Sequence, residues 1–450
     1  MAKRKIFLLT LPASGHLNPM CGLVHELCKQ PNIECFLYNG GKFKETIEKT
    51  GGLFRVYPNV DALVAKYGDA PKLTEKDGHI KFFANFMNYQ FEGSYECVPQ
   101  LVKDVEADMP DLIIYDPSFF PAKILIEILK KKSIPMKYVE FFPNFVFDEE
   151  MMKTMPGAEE KSFAQVWIVM KSFYKQYQIS RHFGISAYNP FVLMAPVKEH
   201  MKIVAVFPEL HPRVNNYDSK HNFVGQCVSE QVRNQDFNND EQLKSMLDLF
   251  PIKDQSKQST SGLKLIYMSL GTIFHSNTFI FDNFIEAIRN YDERPGQKFK
   301  SNQFRAILSV GDKSMEAFDK RISSGQLILP SNIIIREKVP QLEILKRAHL
   351  FITHSGMNSI SETIKYAVPI ISIPLEGDQN MNGIRSCDEL QLGIRLEALK
   401  TSEDVFCDTI EKVLGDEKYA NNINEMSDIS AKYNGRVEAT KLIMNYLNQN

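Results

Sequence analysis

An unbroken apolar run near the start of the chain does most to limit its fold. Lys5-Ile-Phe-Leu-Leu-Thr10 shows no polar alternation. A strand made of it must be buried on both faces, as the strands of parallel sheets are. A loop over Leu11–Leu17 is expected next. Asn18-Pro19 then predicts a helix start, with Asn as N-cap and Pro at the first helical position. Met20, Leu23, Val24 and Leu27 fall on one face of that helix, and Ile33–Tyr38 reads as the following strand. This is a βαβ opening.

The same unit recurs. Leu112–Tyr115 is a predicted strand that ends in Asp116-Pro117, with a helix over Ala122–Lys130 and a strand over Met136–Glu140. The second half restarts with a strand over Leu263–Ser269, then Gly271-Thr272, then a helix through Ile280–Ile288. Further strands are predicted at 304–310, 333–336, 350–353 and 370–373. Asn222–Gly225 reads as a short strand, and the polar segment 229–262 as a linker or surface insertion. Residues 151–200 are helical and loop-rich without a clear division. The expected fold is α/β, with two Rossmann-like, doubly wound domains facing a cleft. The domains are expected at 1–215 and 216–435. A closing helix, 436–450, carries Val437, Ile443 and Leu447 and is expected to pack on either domain, the N-terminal one included.

Composition narrows the function classes. A formal net charge of −2 over 450 residues argues against a large nucleic-acid footprint. Seven cysteines, none in C-x-x-C spacing, read as buried free thiols rather than a disulfide framework or a zinc ribbon. Lys3-Arg4-Lys5 precedes an apolar stretch too short for a signal peptide. No run of about 18 apolar residues is present, so no membrane anchor is expected and a cytoplasmic location is.

The densest chemistry lies between residues 338 and 382. His354, Ser355 and Gly356 stand at the end of a strand and the start of a helix. Unpaired N–H groups and the positive end of the helix dipole make such a place ready for a diphosphate. Glu362, one turn beyond Ser359, is placed to accept from ribose hydroxyls, and Asp378-Gln379 offers acceptors and a donor to a polyol. The order and spacing resemble the signature of family 1 UDP-glycosyltransferases, W-x-P-Q…H-x-G-x-x-S-x-x-E…V-P…P-x-x-x-D-Q. Pro340, Gln341, His354, Gly356, Ser359, Glu362, Val368, Pro369, Pro374, Asp378 and Gln379 match it. The compact loop and the run Val339–Leu345 look most like the bacterial macrolide-glycosyltransferase branch.

The resemblance implies a GT-B fold and a role for each residue. Gln341 meets the uracil, largely through main chain. His354 with Gly356, Asn358 and Ser359 holds the diphosphate, and Glu362 holds the ribose. Asp378 and Gln379 hold the sugar, with Gln379 favouring glucose. Gly271-Thr272 resembles the second phosphate loop. Lys338 departs from the pattern, because the family carries a base-stacking Trp there.

In the first half, His16 follows the first strand and Asp116 ends the strand 112–115. Parallel strands present both at the same edge, where Asp orients an imidazole that takes a proton. The resemblance makes this pair a catalytic dyad. It implies inverting transfer of a hexose from a UDP-sugar to a hydroxyl, with no metal and no cofactor beyond UDP-glucose or a related UDP-sugar as co-substrate. The partners expected are that nucleotide-sugar donor and a hydrophobic, hydroxylated small molecule such as a flavonoid, macrolide or xenobiotic. Aromatic and Met residues at 82–95 (Phe82, Phe83, Phe86, Met87, Tyr89, Phe91, Tyr95) and 119–155 (Phe119, Phe120, Phe141, Phe142, Phe145, Phe147, Met151, Met152, Met155) divide between ordinary core and an acceptor pocket. Two readings compete: a nucleotide-sugar epimerase or hydrolase on the same scaffold, and a non-catalytic nucleotide-sugar-binding protein. The presence of both His16 and Asp116 weighs against the latter.

Overall fold

The structure, a computed structural model, describes residues 3–68, 78–146, 163–186, 195–230, 239–252, 262–271 and 278–449. Two compact units divide the chain. The first comprises Met1–Asp69, His79–Val232 and Tyr433–Asn450, and the second chiefly Arg233–Lys432.

In the first unit the strands are β1 (Arg4–Leu9), β2 (Ile33–Asn39), β3 (Leu53–Val56), β4 (Leu112–Tyr115), β5 (Lys137–Phe142), β6 (Met201–Val204) and β7 (His221–Phe223). They form one sheet in the order β3-β2-β1-β4-β5-β6-β7, and every pairing is parallel. The helices that matter here are α1 (Ser14–Leu27), α2 (Gly78–Asp108), α3 (Phe120–Lys131) and α4 (Phe163–Phe183). β1 explains its own composition. Ile6 and Leu8 sit in one buried cluster with α1, while Phe7 and Leu9 sit in another with α2 and α3.

In the second unit the strands are β8 (Lys264–Ser269), β9 (Phe304–Ser309), β10 (Ile333–Arg336), β11 (Leu350–Thr353), β12 (Ile370–Ser372) and β13 (Gly393–Arg395). Their order is β10-β9-β8-β11-β12-β13, again parallel throughout. Helices α5 (Met357–Lys365) and α6 (Gln379–Gly383) follow β11 and β12. Both sheets are therefore doubly wound, and each reverses its strand order once, at β1/β4 and at β8/β11.

The structure departs from the expectation in several places. α1 starts at Ser14 rather than after Asn18. The Ala13 carbonyl accepts from both His16 N and Leu17 N, and the helix runs through Pro19 at the loss of one backbone hydrogen bond. His16 is thus a first-turn helical residue, not a loop residue. The first unit extends past 215 because β7 pairs with β6. The closing helix α7 (Gly435–Asn448) belongs to the first unit. Its Ala439, Ile443 and Leu447 join the α1 cluster, and Lys137 Nζ donates to the Tyr446 carbonyl at 3.0 Å.

Close backbone approach fixes how α1 lies. A methyl group at Gly22 would fall 1.5 Å from the Cys227 carbonyl oxygen, whereas one at Gly15 would meet nothing within 4 Å. Gly22→Ala is expected to cost about 1–3 kcal/mol of unfolding free energy by overpacking. Gly15→Ala should be neutral or gain up to about 1 kcal/mol. Urea denaturation of the two variants checks this; equal effects would contradict the packing.

Candidate active site

The reversal of strand order in the first sheet places the ends of β1 and β4 side by side, with α1 and α3 leaving from them. Such a switch point is where open α/β sheets bind ligands. His16 comes from the first turn of α1 and Asp116 from the residue after β4. His16 Nδ1 lies 2.6 Å from Asp116 Oδ2. Asp116 is buried and well supplied with donors. Ser118 N donates to its Oδ1 at 2.8 Å, and Thr10 Oγ1 stands 3.4 Å from Oδ2. Burial alone would raise its pKa, but the charge and hydrogen bond of His16, with backbone donors from Ser118 and Leu11, bring it below the ordinary carboxylate value. Asp116 is therefore an anion at neutral pH that holds the imidazole by Nδ1, which directs any substrate chemistry to Nε2.

Gln90 completes this end of the sheet and was not foreseen. It is a fully buried residue of α2 whose amide nitrogen donates to the Ser118 carbonyl at 2.7 Å, while its Oε1 accepts from Phe120 N at 3.1 Å. Both contacts pin the turn that presents Asp116. The signal in the sequence was a single Gln in the aromatic-rich stretch 82–95.

The second sheet repeats the arrangement at β8/β11. Gly271 follows β8 and His354 follows β11. The imidazole lies against both loops: a methyl group at Gly271 or Gly356 would come within 2.6 or 2.7 Å of His354 Nε2. Gly271 also has φ of +81°, a left-handed conformation suited to glycine. Burial pushes the His354 imidazole down to about 4, against a hydrogen bond to the Ser269 backbone that favours the charged form. His354 is thus neutral at pH 7, and its buried Nδ1 has no hydrogen-bond partner among the described residues. Positive charge here comes from the dipole end of α5 and not from the His354 ring. Gly356 is the N-cap of α5 and, having no side chain, makes no side-chain cap bond to its first N–H groups.

Ser355, between His354 and Gly356, has φ of +65°. That conformation is uncommon for serine, and its surroundings enforce it. Its Oγ is 2.6 Å from Ser372 Oγ, its N–H donates to Thr353 Oγ1, and its carbonyl accepts from Asn382 Nδ2 at 3.0 Å. The same Asn382 nitrogen donates to Asp378 Oδ2 at 2.9 Å. Asn382, absent from the expected site, therefore ties the start of α5 to the turn that carries Asp378 and Gln379.

The remaining motif residues are placed as follows. Gln341 Nε2 donates to Glu362 Oε2 at 2.6 Å, and Tyr267 Oη donates to Gln341 Oε1 at 3.0 Å. Both ends of the Gln341 side-chain amide are thus engaged, by Glu362 and Tyr267. Gln379 Oε1 accepts from Leu375 N and Glu376 N. What Gln379 offers a ligand is thus its amide nitrogen. Asn358 and Ser359 lie in the first turn of α5, with Ser359 buried. Lys338 is exposed and paired with Glu337 at 3.0 Å. Thr272 lies outside the described residues, as do Phe147, Met151, Met152 and Met155. Of the other aromatic and Met residues weighed for an acceptor pocket, Met87, Tyr89, Phe91, Phe119, Phe120, Phe141, Phe142 and Phe145 are core. Phe82, Phe83 and Phe86 are half-buried, and Tyr95 is exposed.

The family model for UDP-glucoronosyl and UDP-glucosyl transferase matches residues 312–433, the span that holds the motif. The uncharacterized UDP-glucosyltransferase YojK of Bacillus subtilis (strain 168) is 24% identical, over 99% of this chain and 98% of its own length. Oleandomycin glycosyltransferase of Streptomyces antibioticus is 24% identical, over 97% of this chain and 90% of its own. Among solved structures, the glycotransferase of kitacinnamycin superposes with a TM-score of 0.73 at 20% identity, covering 99% of this chain and 100% of that one. A chain that carries this motif on doubly wound sheets, and aligns nearly end to end with bacterial enzymes of the kind, has the GT-B fold and is similar to the family 1 UDP-glycosyltransferases, on their macrolide-glycosyltransferase-like branch.

Proposed function

We propose that the chain transfers a hexose, glucose before others, from a uridine-diphosphate sugar to a hydroxyl of a lipophilic small molecule, with inversion and without a metal ion. The 2.6 Å contact between His16 and Asp116 carries this reading. Asp116 orients the ring and stabilises its charged form, and His16 takes the acceptor's hydroxyl proton. The oxygen attacks the anomeric carbon from the face opposite the diphosphate. The bond to the β-phosphate oxygen breaks, and its electron pair leaves with UDP. A single displacement inverts the anomeric centre. The charge that develops on the diphosphate is met by the N–H groups at the start of α5. Glu362 and the turn 376–379 supply partners for ribose and sugar hydroxyls. Relatives such as oleandomycin glycosyltransferase support a macrolide-like or similarly lipophilic acceptor.

The reading is tested by incubating the purified chain with EDTA, UDP-glucose and a panel of flavonoids, phenols and macrolides, followed by mass spectrometry. A gain of one hexose on an acceptor is expected. UDP release without any glycosylated product would favour a hydrolase or epimerase instead.

His16→Ala is expected to lower kcat on the order of 100-fold or more, because a positioned base contributes that much. UDP affinity, measured by titration calorimetry, should stay unchanged. Turnover near the native rate would remove His16 from the mechanism.

Glu376, which precedes Gly377 and Asp378, gives a pH-dependent prediction. Burial raises its carboxyl to about 7, against a hydrogen bond from the Gly377 backbone. From the ordinary glutamate range up to that value, the unfolded chain releases a proton that the folded chain keeps. Stability from this group therefore falls as pH rises through that window and levels off above it. Glu376→Gln should raise the melting temperature relative to the native protein by more at pH 8 than at pH 5. An equal difference at both values would contradict the shift.

A further inference from the structure

The outer face of α4 takes no part in the chemistry above, and its pattern is inverted. The side turned into the fold carries Ser172, Gln176, Ile179 and Ser180, all buried and mostly polar. The side turned outward carries Trp167, Met170, Phe173, Tyr174 and Tyr177, which are 51, 58, 44, 63 and 51% exposed. The spacing of 167, 170, 174 and 177 puts four of them in one stripe, with Phe173 beside it. A contiguous exposed apolar surface of this kind marks an interaction site.

The charge on the helix says what kind. Between Phe163 and Phe183 there are Lys171, Lys175 and Arg181 and no Asp or Glu. Lys171 stands over the Trp167 ring at 5.4 Å and Arg181 over the Tyr177 ring at 6.0 Å. Lys175 bonds to Asn88 and lies near Glu92, which is itself bound by Lys66 and Tyr67. Aromatic rings mixed with cations, with acids absent from the helix, suit the headgroup layer of an anionic bilayer. Trp and Tyr favour that depth, and basic groups there meet lipid phosphates. A second copy of the same face would instead bring like charges together.

We propose that the outer face of α4 docks the protein on the surface of an anionic lipid bilayer. The rings lie at headgroup level, and Lys171 and Arg181 face lipid phosphates. The contact is peripheral: among the described residues, no helix is long and apolar enough to cross a membrane. The proposal does not rest on the acceptor being lipophilic.

Trp167 is the single tryptophan of the chain and lies within the stripe, so the unmodified chain reports on its own binding. Its emission would be followed with vesicles of phosphatidylcholine alone and of phosphatidylcholine with phosphatidylglycerol, alongside vesicle flotation. A blue shift, quenching by brominated acyl chains and flotation are expected with the anionic vesicles. Binding to neutral vesicles, or in about 0.5 M salt, should be at least roughly tenfold weaker. Tyr174→Ser with Tyr177→Ser, and separately Lys171→Glu with Arg181→Glu, should each weaken flotation while far-UV circular dichroism stays native. Unchanged Trp167 emission and no flotation with anionic vesicles would overturn the proposal. So would equal binding to neutral vesicles, native-like binding by both double variants, or a solution dimer whose Trp167 emission is already shifted.

Discussion

In each sheet the strand order turns back once, and the candidate chemistry hangs on that reversal. At β1/β4 and again at β8/β11, neighbouring parallel strands send their following segments in opposite directions. The carboxyl ends of the two strands are left side by side. His16 and Asp116 come from the two sides of the first reversal, and Gly271 and His354 from the two sides of the second. Neither pair is close in sequence. The all-parallel sheet brings them together, and the sheet depends on strands such as β1 that are apolar on both faces.

The two reversals carry different chemistry because their polar surroundings differ. At the first, a buried carboxylate has its pKa lowered by an imidazole and backbone donors, which makes an ion suited to orienting a base. At the second, a buried imidazole is kept neutral, its ring seated against two glycines that no larger residue could replace without displacing it. The start of α5, where we propose that the diphosphate binds, is held in register by the left-handed Ser355 and its contacts to Ser372, Thr353 and Asn382. In the proposed function, one fold thus serves a proton acceptor in one unit and a dipole in the other.

The motif on the β11 side of the second reversal was legible in the sequence because its residues fall within one short stretch. Pro340 to Gln379 form a pattern with fixed spacing, and the strand–turn–helix around His354 follows from apolar runs and a glycine. The His16–Asp116 pairing was legible for a different reason: Asp116 ends one predicted parallel strand, His16 lies in the loop that follows another, and the family resemblance implies a dyad of the two. Local signals misplaced the start of α1, since Asn18-Pro19 imitates a helix cap while the backbone of Ala13 had already begun the helix. β3, β6 and β13 escaped notice because they are three or four residues long and lack an unbroken apolar run. Gln90, Asn382 and Glu376 were missed because their roles come from partners or burial set by the fold. A side chain that pins the turn at Ser118, or ties Ser355 to Asp378, leaves no periodic trace.

The central claim is that the start of α5 holds the nucleotide's diphosphate. A crystal structure of the chain with UDP tests it most directly. The account predicts the diphosphate over the backbone N–H groups of residues 357–359, with the ribose hydroxyls at Glu362 and the His354 ring still seated between Gly271 and Gly356. A diphosphate bound instead beside His16 and Asp116, or ordered away from the start of α5, would contradict it.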